Sequence, residues 1–380
     1  MTDPTRQPVR LSWIRRTLRL GAHLLIILAT TAVLGEAALR VYHALHPVYL
    51  FPTETYLHLK RPPHKVIYGH SLNELGCNDE AFRLEKTPGT LRVAAVGDSF
   101  AYGIVPYPDN YLTLLEKKLS SPERPVEVYN FGLMGAGVQD YVSVLWNEVL
   151  PYKPDVALVN FYLGNDYIDH AAPPSPYSFS FLGVALRFLW TLAFELKDTS
   201  SPAGVYCDDC KTLSDLEYLD LERNHSAIFL KEYAQFEEFH AYVMTRFRAM
   251  KALCDSHGVR LIVALLPFAV QADPALRAAV LEDYGERVRI RVGTTHTQPE
   301  DFDFDQPNRR LTEGLQSLGI PVVDLRDDFV EAGVSQRLYK PNDIHWNREG
   351  NRLAAEILAR KLPPLWGLEP KAAEAPKIPY

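Results

Sequence analysis

The chain is 380 residues long, with 47% hydrophobic residues and a formal net charge of −7. That length and apolar content suffice for one large α/β core with appendages. The acidic balance, with no long basic tract beyond the N-terminus, excludes nucleic acid as the main partner.

Residues 1–19 are basic: Arg6, Arg10, Arg15, Arg16 and Arg19 precede an uncharged run over 20–35 that continues through Glu36 to Val41. With Glu36 as a boundary residue, roughly 20 residues can span a bilayer as a helix. Arginines on the leading side put that end in the cytoplasm. The expectation is one transmembrane anchor over 20–42, with the chain beyond it extracytoplasmic. A cleaved signal peptide competes with this reading. The long basic region, the lack of a clear A-x-A site and the continuing pattern Glu36-Ala37-Ala38-Leu39-Arg40 favour the anchor. A buried helix of a soluble protein is the third reading, and it is opposed by apolar residues on every face.

Residues 43–90, rich in Pro and Tyr, read as an irregular connector. Strand and helix signals then alternate. Strands are expected over 91–96, 126–131, 156–163, 260–267 and 320–325, the aliphatic runs implying cover on both faces. Helices are expected over 111–119, 229–256, a stretch through Leu311 and Leu315, and 347–362 with Asn347 as N-cap. This order predicts an α/β fold with a largely parallel sheet, right-handed crossovers and helices on both faces.

An insertion over 171–228 breaks the rhythm. Within it 177–196 is aromatic and aliphatic. It reads as an amphipathic helix covering the site or lying on the bilayer beside the anchor, or as a core helix. A second membrane span is disfavoured because its uncharged pieces are short and Arg187 sits mid-run. Cys207 and Cys210 form an isolated C-x-x-C. Without a second pair a local disulfide is preferred to a zinc site, and Cys77 and Cys254 read as small apolar residues. The acidic stretch 300–305 lacks the glycine and spacing of a calcium loop and reads as solvated. Trp346 is assigned to the core, and 366–380 to a loose tail.

Gly97-Asp98-Ser99-Phe100 stands at a strand-to-helix corner. A serine there has its hydroxyl at the C-terminal edge of the sheet and its N–H near a helix start, though the same residues also suit a tight turn with Ser99 as cap. The hydroxyl needs a base to act as a nucleophile. Asp343 and His345 supply a candidate pair. On a helix they would diverge by about 200°, but in a loop the carboxylate can orient the imidazole. His345 would then take the Ser99 proton while Asp343 fixes the tautomer. The N–H groups of Ser99 and Gly135 and the Asn165 side-chain amide would surround an oxyanion. Each of these residues separately also has a plain turn, cap or loop reading.

The GDSF corner, the Gly-rich turn from Asn130 to Gly135, Gly164-Asn165-Asp166 and the Asp343/His345 pair resemble the four blocks of the SGNH (GDSL-type) hydrolases. Ser99, Gly135, Asn165 and His345 fall on the serine, glycine, asparagine and histidine of that family. The resemblance implies a flavodoxin-like three-layer α/β/α domain over 91–365, interrupted by the insertion, with esterase or acyl-transfer activity and no metal or other cofactor. Two positions depart from the pattern: Leu163 replaces the usual glycine, and Asn342 stands where the usual aspartate would, Asp343 being one closer to the histidine. The D-x-H-W spacing is similar to that of membrane-linked polysaccharide O-acetyltransferases. Three functions follow as expectations. The first is a serine esterase on a bacterial inner membrane, removing acyl (foremost acetyl) groups from an extracytoplasmic glycan or other ester. The second passes the acyl group to a sugar hydroxyl, and the third is a non-catalytic envelope assembly module.

Overall fold

The computed structural model of the protein describes residues 8–45, 56–168, 180–190, 193, 205–282, 284 and 298–366. The chain forms two compact units, Met1–Thr55 with Pro174–Glu195, and Tyr56–Pro173 with Leu196–Tyr380.

The first unit is built on the helix Pro8–Leu45. Its stretch Arg15–Tyr42 is, by length and composition, long and apolar enough to cross a membrane, a test that a signal sequence also passes. Glu36, the acidic residue in that stretch, accepts hydrogen bonds from Ser180 Oγ at 2.9 Å and from the N–H groups of Phe181 and Leu182 at 3.2 and 2.8 Å. It thereby satisfies orphan donors at the start of a second helix, Phe181–Trp190. Arg40 binds Glu36 at 2.6 Å and lies 4.8 Å from the Phe181 ring centre. The helix expected within 177–196 therefore packs against the N-terminal helix. Its 10 described residues are fewer than a bilayer span requires. Residues 169–179 and 194–204 of the insertion lie outside the described residues, as does the tail beyond 366.

The second unit opens with a hairpin of β1 (Val66–Ile67) and β2 (His70–Ser71). Its main sheet holds β3 (Leu91–Gly97), β4 (Val126–Asn130), β5 (Val156–Tyr162), β6 (Arg260–Leu266) and β7 (Val322–Asp324) in the order β4-β3-β5-β6-β7. Every neighbouring pair is parallel. All seven residues of β3 and of β5 are buried, as continuous aliphatic runs covered on both faces must be. Right-handed crossovers put the helix Tyr111–Leu119 on one face and Val138–Val144, Phe236–Ser256 and Gln306–Ser317 on the other. The last helix, Arg348–Lys361, packs on Tyr111–Leu119. Asn347 caps it by accepting from the Gly350 N–H at 2.9 Å.

Several boundaries differ from expectation for local reasons. The helix expected from 229 begins at Phe236, because Leu230 bridges to Phe302 and the Lys231 N–H binds the Asp301 carbonyl. The same contacts pin the acidic stretch, where Phe302 and Phe304 pack on Tyr284 and Phe229 and Arg309 pairs with Asp303 and Asp305. Its aromatics are packed, while the Glu300 and Asp301 carboxylates stay exposed as expected. β7 is shorter than expected because Pro321 has no N–H to give the ladder. Residues 56–90 are more than a connector: the Asp79 carboxylate accepts from the Asn130 N–H at 2.8 Å, and the Asn78 amide donates to the Tyr102 carbonyl at 3.0 Å. Buried Arg92 on β3 pairs with Glu127 and donates to the Leu84, Glu85 and Tyr152 carbonyls.

In this strand order the chain leaves β3 and β5 toward opposite sides, opening a crevice past their carboxyl ends where such sheets bind ligands. Ser99 follows β3, and Gly164-Asn165-Asp166 follows β5.

Candidate active site

Ser99 is the first residue of a one-turn helix, Ser99–Tyr102. The cap is Asp98, whose Oδ1 accepts the Phe100 N–H at 2.9 Å, so the Ser99 hydroxyl is released from capping duty. Burial pushes the Asp98 carboxyl up to about 6, opposed by that hydrogen bond and by neighbouring His345. The glycine turn after β4 lies tightly against this corner. A Cβ on Gly132 would come within 2.2 Å of the Tyr102 nitrogen, so no larger residue fits.

From the far end of the sequence, His345 presents Nε2 at 2.8 Å from Ser99 Oγ. Its Nδ1 lies 2.6 Å from Asp343 Oδ1, and that oxygen also accepts the His345 backbone N–H at 3.1 Å. Because Nδ1 faces a carboxylate, it carries the proton, which leaves Nε2 as an acceptor for the serine hydroxyl. Burial alone would raise the Asp343 carboxyl. Hydrogen bonds and charge from His345, with a hydrogen bond from Thr212, hold it well below the usual carboxylate range. Ser99 is 8% exposed and the His345 side chain 17%, so the pair is sheltered but open to solvent.

Asn342 takes no part in this chain. At φ +49° its amide turns away to the Leu213 carbonyl and to Asp215, at 3.0 and 2.6 Å. Gly135 adopts φ +77°, a left-handed conformation that favours glycine, and its N–H has no acceptor among the described residues. Asn165 lies near enough to Asp98 to lower its carboxyl, and the Asn165 Oδ1 and Asp98 Oδ2 atoms are both buried without a partner. Asp166 folds back into its loop, accepting from Tyr141 Oη at 2.9 Å and the Tyr162 N–H at 2.8 Å. Leu163 is fully buried and its N–H binds the Leu266 carbonyl, so this departure from the family pattern serves the core. Trp346 is also buried, edge-on to Phe100 and Tyr111.

The structure also brings in residues that the sequence reading did not single out. Thr212 Oγ donates to Asp343 Oδ2 at 2.6 Å, and Lys340 Nζ lies 3.5 Å from the same oxygen. Tyr68, at the tip of the β1–β2 hairpin, is 5.4 Å edge-on from Tyr206, and burial followed by the Asp343 charge raises its phenol. None of these carried a motif; Thr212 is 131 positions from its partner. A cavity of about 200 Å³ behind this loop is lined by Tyr218, Asp273 and Tyr339 but not by Ser99 or His345, so it is not the place where an ester would meet the serine.

Fold and site together define an SGNH hydrolase-like α/β domain. The family profile described as the SGNH hydrolase-like domain of the acetyltransferase AlgX matches residues 286–378. Among solved structures, the acetyl xylan esterase AlAXEase is similar at 14% identity and TM-score 0.39, over 70% of this chain and 98% of that one. A putative lipolytic protein of the G-D-S-L family from Desulfitobacterium hafniense is similar at 16% identity and TM-score 0.38, over 71% and 98%. An acetyl-xylooligosaccharide esterase from Geobacillus Stearmophilus is similar at 14% and 0.38, over 73% and 95%. Comparison with curated proteins finds no match.

Proposed function

We propose that the protein is a serine esterase that removes acyl groups, foremost acetyl, from a glycan or other ester through an acyl-enzyme on Ser99. The observation that carries this reading is the continuous chain Ser99 Oγ–His345 Nε2 and His345 Nδ1–Asp343 Oδ1, at 2.8 and 2.6 Å. Ser99 Oγ attacks the ester carbonyl as its proton passes to His345 Nε2, and the Asp343 carboxylate stabilises the imidazolium. The oxyanion is assigned to the N–H groups of Ser99 and Gly135 and the Asn165 amide. Collapse breaks the bond to the alcohol, which leaves with the proton from His345. Water then attacks the acyl-serine, giving its proton to His345, and Ser99 is restored as the acid departs.

A second reading has a sugar hydroxyl replace water in the last step; it is favoured by the match to the acetyltransferase AlgX profile. In either case the N-terminal helix is assigned as a membrane anchor, arginines inside and the catalytic unit outside the cytoplasm. The test is turnover of a chromogenic acetyl ester by the full chain in detergent. Wild type is expected to turn over and Ser99→Ala is not; equal rates would refute both catalytic readings. Adding oligosaccharide acceptors then separates them, transferred acetyl marking the second.

A further inference from the structure

We infer that Thr212, presented by the Cys207–Cys210 disulfide loop, is a positioning residue for Asp343; this deepens the serine mechanism proposed above and rests on it. A carboxylate held at a single oxygen can swing about its Cβ–Cγ bond. Both contacts from His345 fall on Oδ1, so they fix only that end. The other end is fixed from the insertion, by the Thr212 hydroxyl at 2.6 Å, with Lys340 at 3.5 Å adding charge. With both oxygens engaged, the carboxylate plane, and with it the imidazole, is held toward Ser99.

Thr212 is itself exposed, so it owes its place to the segment that carries it. That segment is laced to the catalytic loop. The Leu213 N–H binds the Asn342 carbonyl, and the Asn342 amide returns a bond to the Leu213 carbonyl at 3.0 Å. Just upstream, Asp208 accepts from the Arg348 N–H, Asp209 pairs with Arg337, and Tyr206 lies under Lys340 and Arg348. The disulfide closes the turn that carries Asp208 and Asp209, with its Cα atoms 5.5 Å apart. A tight covalent turn anchored through its own aspartates, with Leu213 pinned beyond it, gives a surface threonine a fixed address. The C-x-x-C pair thereby gains a function in catalysis that a loop brace alone would not have.

The test compares Thr212→Val, Thr212→Ser and Ser99→Ala in the full chain on an acetyl ester. Thr212→Val, nearly isosteric and at an exposed site, should lower kcat about tenfold with KM and melting temperature unchanged, the scale of one hydrogen bond to a charged group. Thr212→Ser, which keeps the hydroxyl, should restore most of that loss. Wild-type kcat in Thr212→Val, or an equal loss in Thr212→Ser, overturns the inference. Full activity in Ser99→Ala would instead overturn the underlying mechanism. A double-mutant cycle adds Cys207→Ser with Cys210→Ser: on the Thr212→Val background the pair should cost little more, whereas fully multiplicative losses would detach the disulfide from Thr212.

Discussion

The serine corner and the Asp343–His345 loop face each other across one hydrogen bond, yet they are built in opposite ways. Ser99 is set by its neighbours: a buried strand leads into it, Asp98 caps the turn, and Gly132 lets the next loop close against it. Its partner loop is closed at the base by a bridge between Tyr339 and Trp346. Thr212 and Leu213, far away in sequence, hold it on one side, and the Arg348–Lys361 helix follows it directly. The proposed nucleophile is thus placed by local rules alone, and the proposed base by a locally closed loop that also depends on tertiary contacts. Substitutions at the corner should act directly on chemistry, and those around the loop through orientation.

The largest expected effect is His345→Ala, which removes the base and should lower kcat by about 10⁴–10⁶. Asp343→Asn should follow at about 10³–10⁴, since an amide orients the wrong tautomer. Asn342→Gly, which tolerates the φ of +49° and removes only the outward amide, should change kcat less than about twofold, within the small worth of partly exposed polar contacts. The reverse ranking of Asp343→Asn and Asn342→Gly on the acetyl ester would overturn the assignment of the orienting residue. Asn165→Ala should cost about 10²–10³ in kcat as an oxyanion donor; an unchanged kcat would leave it a loop residue.

A smaller effect concerns stability. Glu222, buried behind the loop with Tyr218, has its carboxyl raised from 4.5 to about 8 by burial. The folded state therefore holds a proton that the unfolded chain gives up. Its contribution is complete below pH 4.5 and is lost as pH rises toward about 8. Glu222→Gln should flatten the fall in melting temperature across that window. An unchanged slope would show that Glu222 is ionised in the fold.

The contrast between corner and loop also explains what the sequence made legible. Strand runs, glycines and the GDSF corner are local signals, and the expected strands and the helix Tyr111–Leu119 stand within a few residues of their observed bounds. Ser99 and His345 were readable because each has a chemical type that a nucleophile or base requires. The choice of Asp343 over Asn342 depends on a left-handed φ at Asn342 that spacing does not encode. Thr212, Lys340 and Tyr68 were invisible for a related reason. Threonine, lysine and tyrosine are common surface residues; docking of the insertion and the β1–β2 hairpin makes Thr212 and Tyr68 neighbours of the site, while Lys340 is turned toward Asp343 by the fold of their shared loop. The late start of Phe236–Ser256 has the same origin, a pairing of Leu230 with Phe302 that no local propensity announces.

Whether the two halves meet as one reactive unit is tested most directly by labelling the full chain with a serine-directed fluorophosphonate and mapping the adduct by mass spectrometry. One adduct on Ser99, lost in His345→Ala and strongly slowed in Asp343→Asn, is the result expected. An unlabelled Ser99, or labelling that proceeds equally without His345, would contradict the account.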